Sequence, residues 1–275
     1  MMTTKRRKME DKLRLLKERL RAMERVVVAY SGGIDSTLLL KLAHDFLGDD
    51  VLAVTITSPT MPRHELEEAK SLAREIGVRH IIVEGQEMSD PAYLANPTDR
   101  CYICKGKICS QLWDYARREG YSYILDGSTA DDLDDHRPGQ RAAREWGMRS
   151  PLQEVGLTKA EIRQLARTLD LPNWNKPSAA CLASRIPYGS PITQEALAQI
   201  EQAEAILRQM EFGQLRVRHH EQIARIEVEV SEFDRLLANR VAVTTALQEL
   251  GYLYVTLDLK GFRSGSLNEG MTPAK

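Results

Sequence analysis

Residues 26–36, VVVAYSGGIDS, constrain this chain more than any other stretch. Val26, Val27 and Val28 are β-branched and consecutive, the pattern of a strand buried on both faces. Ser31-Gly32-Gly33-Ile34-Asp35-Ser36 then turns the chain. Residues 37–46 follow with apolar side chains at Leu38, Leu39, Leu42, Ala43 and Phe46, a helical spacing. Strand, glycine turn and helix start in that order make an anion site. Glycine lets the backbone approach an anion closely, and the free N–H groups of the helix start point at it. Hydroxyls of Ser31, Ser36 and Thr37 add donors.

The loop lacks the Lys-Ser/Thr pair of a Walker A sequence and does not read GxGxxG. SGGIDS instead resembles the pyrophosphate (PP) loop of the N-type ATP pyrophosphatases. That resemblance implies cleavage of ATP to AMP and pyrophosphate, with adenylylation of a substrate oxygen. The plain alternative is a glycine turn that binds nothing. The fit of all six positions, directly after a strand, weighs against it.

At 275 residues the chain suits one large domain or two modest ones, and 43% apolar residues suffice for a sizeable core. A formal net charge of -1 does not fit a bulk nucleic-acid binder. No stretch approaches the roughly 20 apolar residues of a membrane span. The basic N-terminus has no apolar signal-peptide core, so a cytoplasmic location is expected. Four cysteines are too few for a disulfide framework and read as thiols, ligands or spectators.

Read in order, residues 5–25 form a helix with Met9, Leu13, Leu16, Leu20 and Met23 on one face, suited to packing on the domain or on a neighbouring subunit. Residues 51–58 read as a strand ended by Pro59 and Pro62, 64–76 as a helix and 80–83 as a strand. This β-α-β-α-β order implies a parallel sheet with right-handed crossovers, whose ligands bind at the carboxyl ends of the strands. Residues 92–99 are loop-like, and a helix opens at RCYICK and runs to about 118. A fourth strand, 121–126, leads into Gly127-Ser128-Thr129-Ala130-Asp131-Asp132, which resembles the second nucleotide motif of the same superfamily. Residues 131–147, with Arg137, Arg141 and Arg144, read as a solvated segment or a lid. Thr158 and Glu161 have capping-box spacing at the head of a helix over 158–169, and 172–177 is an irregular loop.

The texture then changes. A helix over 194–209 precedes two alternating runs, 214–219 and 223–230, which read as antiparallel strands with one solvated face. Residues 231–250 are helical, 252–259 form another alternating strand, and the tail 271–275 reads as disordered. The expected division is an N-terminal helix (1–25), an α/β domain (26–187) and a small α+β domain (188–275) for substrate binding or oligomerisation.

Cys101 and Cys104 make a CxxC pair near a helix start, able to bind zinc or an iron–sulfur cluster or to cycle as a disulfide. Zinc lacks an obvious further ligand set. Cys181 stands alone, and His219 and His220 point to opposite faces of a strand. Three thiolates, from Cys101, Cys104 and Cys181, suit a four-iron cluster with one iron left open. The ordinary reading of Cys181 is a small buried residue, and of Cys109 a buried spectator. Arg216 and Arg218 lie two apart on a strand and share a face, and with Arg185 they are candidates for holding a phosphate. The alternative for that pair is a solvated strand face. Glu204 is read as helix surface, with a place near a metal as the sharper option.

Taken together, SGGIDS, RCYICK, DGSTADD, RPGQRAAREWGMRSPL, PSAACLASRIPYG and YVTLDLKGFRSGSLNE resemble the LarE family over about residues 26–269. These are ATP-dependent sulfur transferases of nickel-pincer nucleotide synthesis. The resemblance implies an α/β, adenine nucleotide alpha hydrolase-like (PP-loop) domain with a smaller α+β C-terminal domain. It implies ATP and Mg²⁺, with Ala29, Ser31, Gly32, Gly33, Asp35, Ser36 and Gly127 around the ATP. The implied substrate is a pyridinium bis-carboxylic acid mononucleotide whose carboxylates become thiocarboxylates by way of acyl adenylates. Two sulfur sources occur in the family: a sacrificial cysteine, matching Cys181, or a 4Fe-4S cluster held by three cysteines. Cys101, Cys104 and Cys181 match the cluster branch, which needs a sulfide donor. A homo-hexamer is implied too. Rival expectations are a tRNA thiolase, an NAD synthetase-like amide ligase and a nucleotide sensor with a structural zinc.

Overall fold

The computed structural model describes residues 4–133, 138–177, 180–263 and 265–269. They divide into two compact units, Met1–Asp90 with Asp99–Ala179, and Pro91–Thr98 with Ala180–Lys275. Arg137, Ser178 and the tail 271–275, all named above, lie outside the described residues.

In chain order the elements begin with helix α1 (Thr4–Arg21), strand β1 (Val26–Ala29), α2 (Ile34–Leu47), β2 (Val51–Thr57), α3 (Arg63–Ile76) and β3 (Arg79–Glu84). A short α4 (Pro91–Leu94) leads to α5 (Arg100–Arg118), β4 (Ile124–Leu125), α6 (Pro138–Glu145), α7 (Pro151–Glu154) and α8 (Lys159–Thr168). The chain continues with α9 (Gln194–Gln209), β5 (Leu215–His220), β6 (Ile223–Val228), α10 (Phe233–Ala238), α11 (Arg240–Glu249) and β7 (Tyr254–Leu257).

The first unit holds a four-stranded sheet in the order β3-β2-β1-β4, parallel throughout. Val26, Val27 and Val28 are completely buried, as a strand covered on both faces requires. The chain leaves β1 for β2 on one side, while β4 adds on the other. The carboxyl ends of β1 and β4 therefore flank the switch point, where α/β sheets open a crevice. β4 is shorter than the strand expected over 121–126. Its pairing with β1 covers only Val27–Ile124 and Val28–Leu125, and the next contact is a single bridge from Leu125 to Arg149.

α1 joins this unit through Leu16 and Leu20, which lie with Met23, just after the helix, in the same core as β1 and α2. Polar ties fix it as well. Lys12 Nζ donates to the Gly156 carbonyl at 2.6 Å and to Glu161 at 2.6 and 2.8 Å. Residues 138–145, expected as part of a solvated segment or lid, form helix α6 with Ala142 and Ala143 buried. It packs on α5, where the Arg141 guanidinium lies 4.3 Å from the Tyr102 ring centre.

The second unit sets α9 and α11 against a three-stranded sheet, β5-β6-β7. β5 and β6 are antiparallel, as their alternation predicts, and β7 lies parallel to β6. Leu215, Val217, Ala224, Ile226 and Val228 face the core, leaving the arginines of β5 on the other face. Asn96 explains why residues 91–98 belong here. Its amide donates to the carbonyls of Pro187 at 2.7 Å and Ser190 at 2.9 Å, and its own carbonyl accepts from Gly189 N at 2.9 Å.

The placement of α1 is testable. Leu20 is completely buried, whereas Leu15 is 40% exposed. Leu20→Ala is expected to cost about 2–5 kcal/mol in urea unfolding and Leu15→Ala under about 0.5 kcal/mol. Equal small losses would detach α1 from the core.

Candidate active site

The loop between β1 and α2 is shaped by close approaches that only glycine permits. Gly32 has φ +75°, and a Cβ there would meet Ala69 Cβ of α3 at 2.7 Å. A Cβ on Gly127, just after β4, would meet Ser36 N at 2.9 Å. The turn after β4 therefore lies directly against the first turn of α2, and the two sequence motifs form two walls of one site. Ser36 Oγ donates to the Gly33 carbonyl at 3.0 Å and lies 3.1 Å from Ser31 Oγ. The loop is thus pre-formed by its own hydroxyls.

Asp35 is the charged residue of this loop. The Lys159 ammonium, from the first turn of α8, contacts one of its carboxylate oxygens. The other, Oδ1, is buried without a partner among the described residues. Burial pushes the Asp35 carboxyl up, and the hydrogen bond and charge of Lys159 only partly offset it. A spare carboxylate oxygen beside the N–H groups of a helix start fits a divalent cation on a phosphate chain. This donor set suits Mg²⁺ bound to ATP.

Two supports of the loop escape the sequence reading. Asn173 Nδ2 donates to the Gly32 carbonyl at 3.1 Å and to Thr37 Oγ1 at 3.0 Å, tying the loop to residues 172–177. Lys159 is the other. Its position at a helix start was readable from the capping box, but its contact with Asp35 spans 124 residues of sequence. The motif after β4 is held by Thr129, whose N and Oγ1 both donate to Asp132 Oδ2 at 2.8 Å, and by Lys159 N donating to Asp131 at 2.6 Å.

Cys101 and Cys104 sit in the first turns of α5, three apart and so on one face, as thiols rather than a disulfide. Cys101 is exposed and Cys104 half-buried. Cys109, expected to be a spectator, is completely buried, with its Sγ 3.2 Å from Met148 Sδ, and burial pushes its thiol up. Cys181, in the second unit, is an exposed thiol at the head of the 3-10 turn Leu182–Arg185. Among the described residues no group of three or more His, Cys, Asp or Glu is gathered to hold a metal ion.

The arginines of the second unit divide by partner. Arg218 is buried and bidentate to Glu227, at 3.0 and 2.8 Å, and also donates to Ser266 Oγ at 2.7 Å and the Ser184 carbonyl at 2.8 Å. Arg216 has no carboxylate partner among the described residues; it donates to the Leu215 carbonyl at 2.7 Å and lies 5.1 Å from the Phe262 ring centre. Burial first, then the neighbouring charge of Arg185, push the Arg216 guanidinium down to about 10, with Glu204 opposing. Arg185 is only 2% exposed and is bidentate to Glu204. Glu204 is therefore not helix surface. It is completely buried, because it falls on the stripe of α9 that also holds Leu197, Ile200 and Leu207.

The face of β5 that carries Arg218 opens into a cavity of about 240 Å³ lined by Arg185, Arg218, His220, Arg225, Arg263 and Ser266. His219 and His220 point to opposite faces as predicted. His219 Nδ1 lies 3.1 Å from Tyr252 Oη, whereas His220 Nε2 is buried without a partner among the described residues.

Gly127→Ala tests the first-unit geometry. It forces a methyl group against the backbone at Ser36 N, so ATP cleavage is expected to fall about tenfold or more, read as pyrophosphate release, with a lowered thermal midpoint from the overpacked contact. Full activity would show that the two walls do not shape one site.

Comparison with known proteins agrees with these motifs. Residues 13–239 match the asparagine synthase family model. The chain is 43% identical over 257 residues, 93% of each chain, to the pyridinium-3,5-bisthiocarboxylic acid mononucleotide synthase of Lactiplantibacillus plantarum. It is 44% identical over 267 residues to an uncharacterised protein of Synechocystis, covering 96% of this chain and 99% of that one. An uncharacterised Methanocaldococcus jannaschii protein is 28% identical over 249 residues, covering 90% and 94%. With a PP loop at the β1–β4 switch point and a full-length relative of this similarity, the chain belongs to the LarE family of PP-loop ATP pyrophosphatases.

Proposed function

We propose that this protein is an ATP-dependent sulfur transferase acting on a pyridinium bis-carboxylic acid mononucleotide. The observation that carries the reading is Arg216, a half-buried cation with no carboxylate partner among the described residues, beside Arg218 in the unit that lacks the PP loop. A half-buried, un-neutralised guanidinium calls for an anion. The PP loop accounts for the phosphates of ATP, so a second anion site fits a second phosphorylated ligand. The similarity to the synthase names its class.

A carboxylate is a poor electrophile, and adenylylation corrects this. One substrate carboxylate oxygen attacks the α-phosphorus of ATP, the bond to the β-phosphate bridge breaks, and pyrophosphate leaves. The N–H groups at the start of α2 and the hydroxyls of Ser31 and Ser36 receive its developing charge, with Asp35 holding Mg²⁺. A sulfur nucleophile then attacks the acyl carbon, AMP leaves, and a thiocarboxylate remains. The second carboxylate is treated likewise. Ala29, at the end of β1, and Gly127 line the nucleotide. Arg216, with Arg218 beside it, holds the substrate phosphate.

Cys101, Cys104 and Cys181 would hold a 4Fe-4S cluster, which when bound would supply sulfide for the transfer. Such a cluster would require a sulfide donor as partner. In a second reading Cys181, whose thiol is exposed, gives up its own sulfur. The setting we propose is a cytoplasmic homo-oligomer. Among the described residues no helix is long and apolar enough to cross a membrane.

Two measurements test this. Arg216→Ala with Arg218→Ala is expected to weaken mononucleotide binding about tenfold or more, leaving ATP affinity unchanged; unchanged mononucleotide affinity would place the phosphate elsewhere. Iron and acid-labile sulfide after anaerobic purification are expected at about four each per chain in wild type and absent in Cys101→Ala. Iron-free, active protein whose Cys181 has lost its sulfur after turnover would instead establish the sacrificial route.

A further inference from the structure

We propose that Arg185 and Glu204 are positioning residues that fix Cys181 against the strand carrying Arg216 and Arg218. The inference rests on the reading of Cys181 as the residue that handles sulfur.

Cys181 presents an exposed thiol, yet its backbone is held from beneath by a buried charge. Arg185 Nη1 donates to the Ala180 carbonyl at 2.7 Å, the Cys181 carbonyl at 3.0 Å and Ser184 Oγ at 3.0 Å. Its Nε and Nη2 donate to the two oxygens of Glu204 at 2.8 and 3.0 Å. Every nitrogen of this guanidinium is thus committed to protein, and the side chain is 2% exposed. That is the geometry of a strut.

Glu204 carries the tie onward. Its Oε1 accepts from Val217 N at 3.1 Å, the residue between Arg216 and Arg218, and its Oε2 accepts from Arg208 at 2.8 Å. A second tie runs parallel, from Arg218 Nη1 to the Ser184 carbonyl at 2.8 Å. Residues 180–185 are therefore registered on β5 by two arginines, each anchored to a buried carboxylate. Burial works to raise the Glu204 carboxyl, but the charge and hydrogen bond of Arg185, with Arg208, hold it below the usual range. The planar fork is what makes this possible: one guanidinium serves carbonyls on one edge and a carboxylate on the other, which an ammonium cannot do.

The test uses full-length protein, Arg185→Lys, and the double variant Arg185→Met with Glu204→Gln, which leaves no fully buried charge unpaired. With Mg·ATP and the mononucleotide, both are expected to keep wild-type mononucleotide affinity and pyrophosphate release. Thiocarboxylate formed per pyrophosphate is expected to fall about tenfold or more, and the rate of Cys181 alkylation by iodoacetamide, followed by peptide mass, is expected to change severalfold. Wild-type thiocarboxylate yield in both variants would overturn the inference. So would a loss of mononucleotide affinity matching that of Arg216→Ala, since Arg185 would then be a phosphate ligand. If wild type itself forms no thiocarboxylate, the functional reading fails separately, and an unaltered alkylation rate would still overturn the positioning role.

Discussion

The contact on which the nucleotide site depends is the one between the turn after β4 and the first turn of α2. It exists because β1 is the strand from which the chain turns both ways. With the order β3-β2-β1-β4, the segments leaving β1 and β4 diverge, and the crevice between them opens at their carboxyl ends. Gly127 and Gly32 keep side-chain atoms out of the places where the backbone must come close. Asp35 and Lys159 meet at the start of α2, with charges of both signs at hand for a cation and a phosphate chain.

The second unit uses charge in another way. Glu204 and Glu227 are completely buried, and each binds an arginine through both oxygens. Breaking such a pair by removing one partner costs about 3–5 kcal/mol, although the intact pair adds little net stability over an apolar replacement. Its value lies in direction. The pairs fix which N–H groups remain for other partners, and they leave Arg216 beside them without a carboxylate partner among the described residues.

Much of this was legible in the sequence because it is local. SGGIDS carries its own strand, turn and helix start, and the capping box of Thr158 and Glu161 formed as its spacing requires. The alternation of β5 and β6 set the faces of Arg216 and Arg218 correctly. What escaped is long-range. Asn96 ties residues 91–98 to Pro187 and Ser190, and no local pattern announces it. Glu204 is different: its helical stripe, shared with Ile200 and Leu207, did announce burial, but the preference of carboxylates for solvent outweighed it. Arg185, lying outside any helical pattern in the sequence, makes that burial tolerable together with Arg208 and the Val217 N–H.

Both units converge on one chemical claim: ATP is spent to replace a carboxylate oxygen by sulfur. The most direct measurement is the mass of the mononucleotide after incubation with Mg·ATP and a sulfide source, alongside the AMP released. The account predicts that each carboxylate converted exchanges one oxygen for one sulfur and releases one AMP and one pyrophosphate. AMP and pyrophosphate release that leaves the mononucleotide as an amide, or with its carboxylates unaltered, would contradict it.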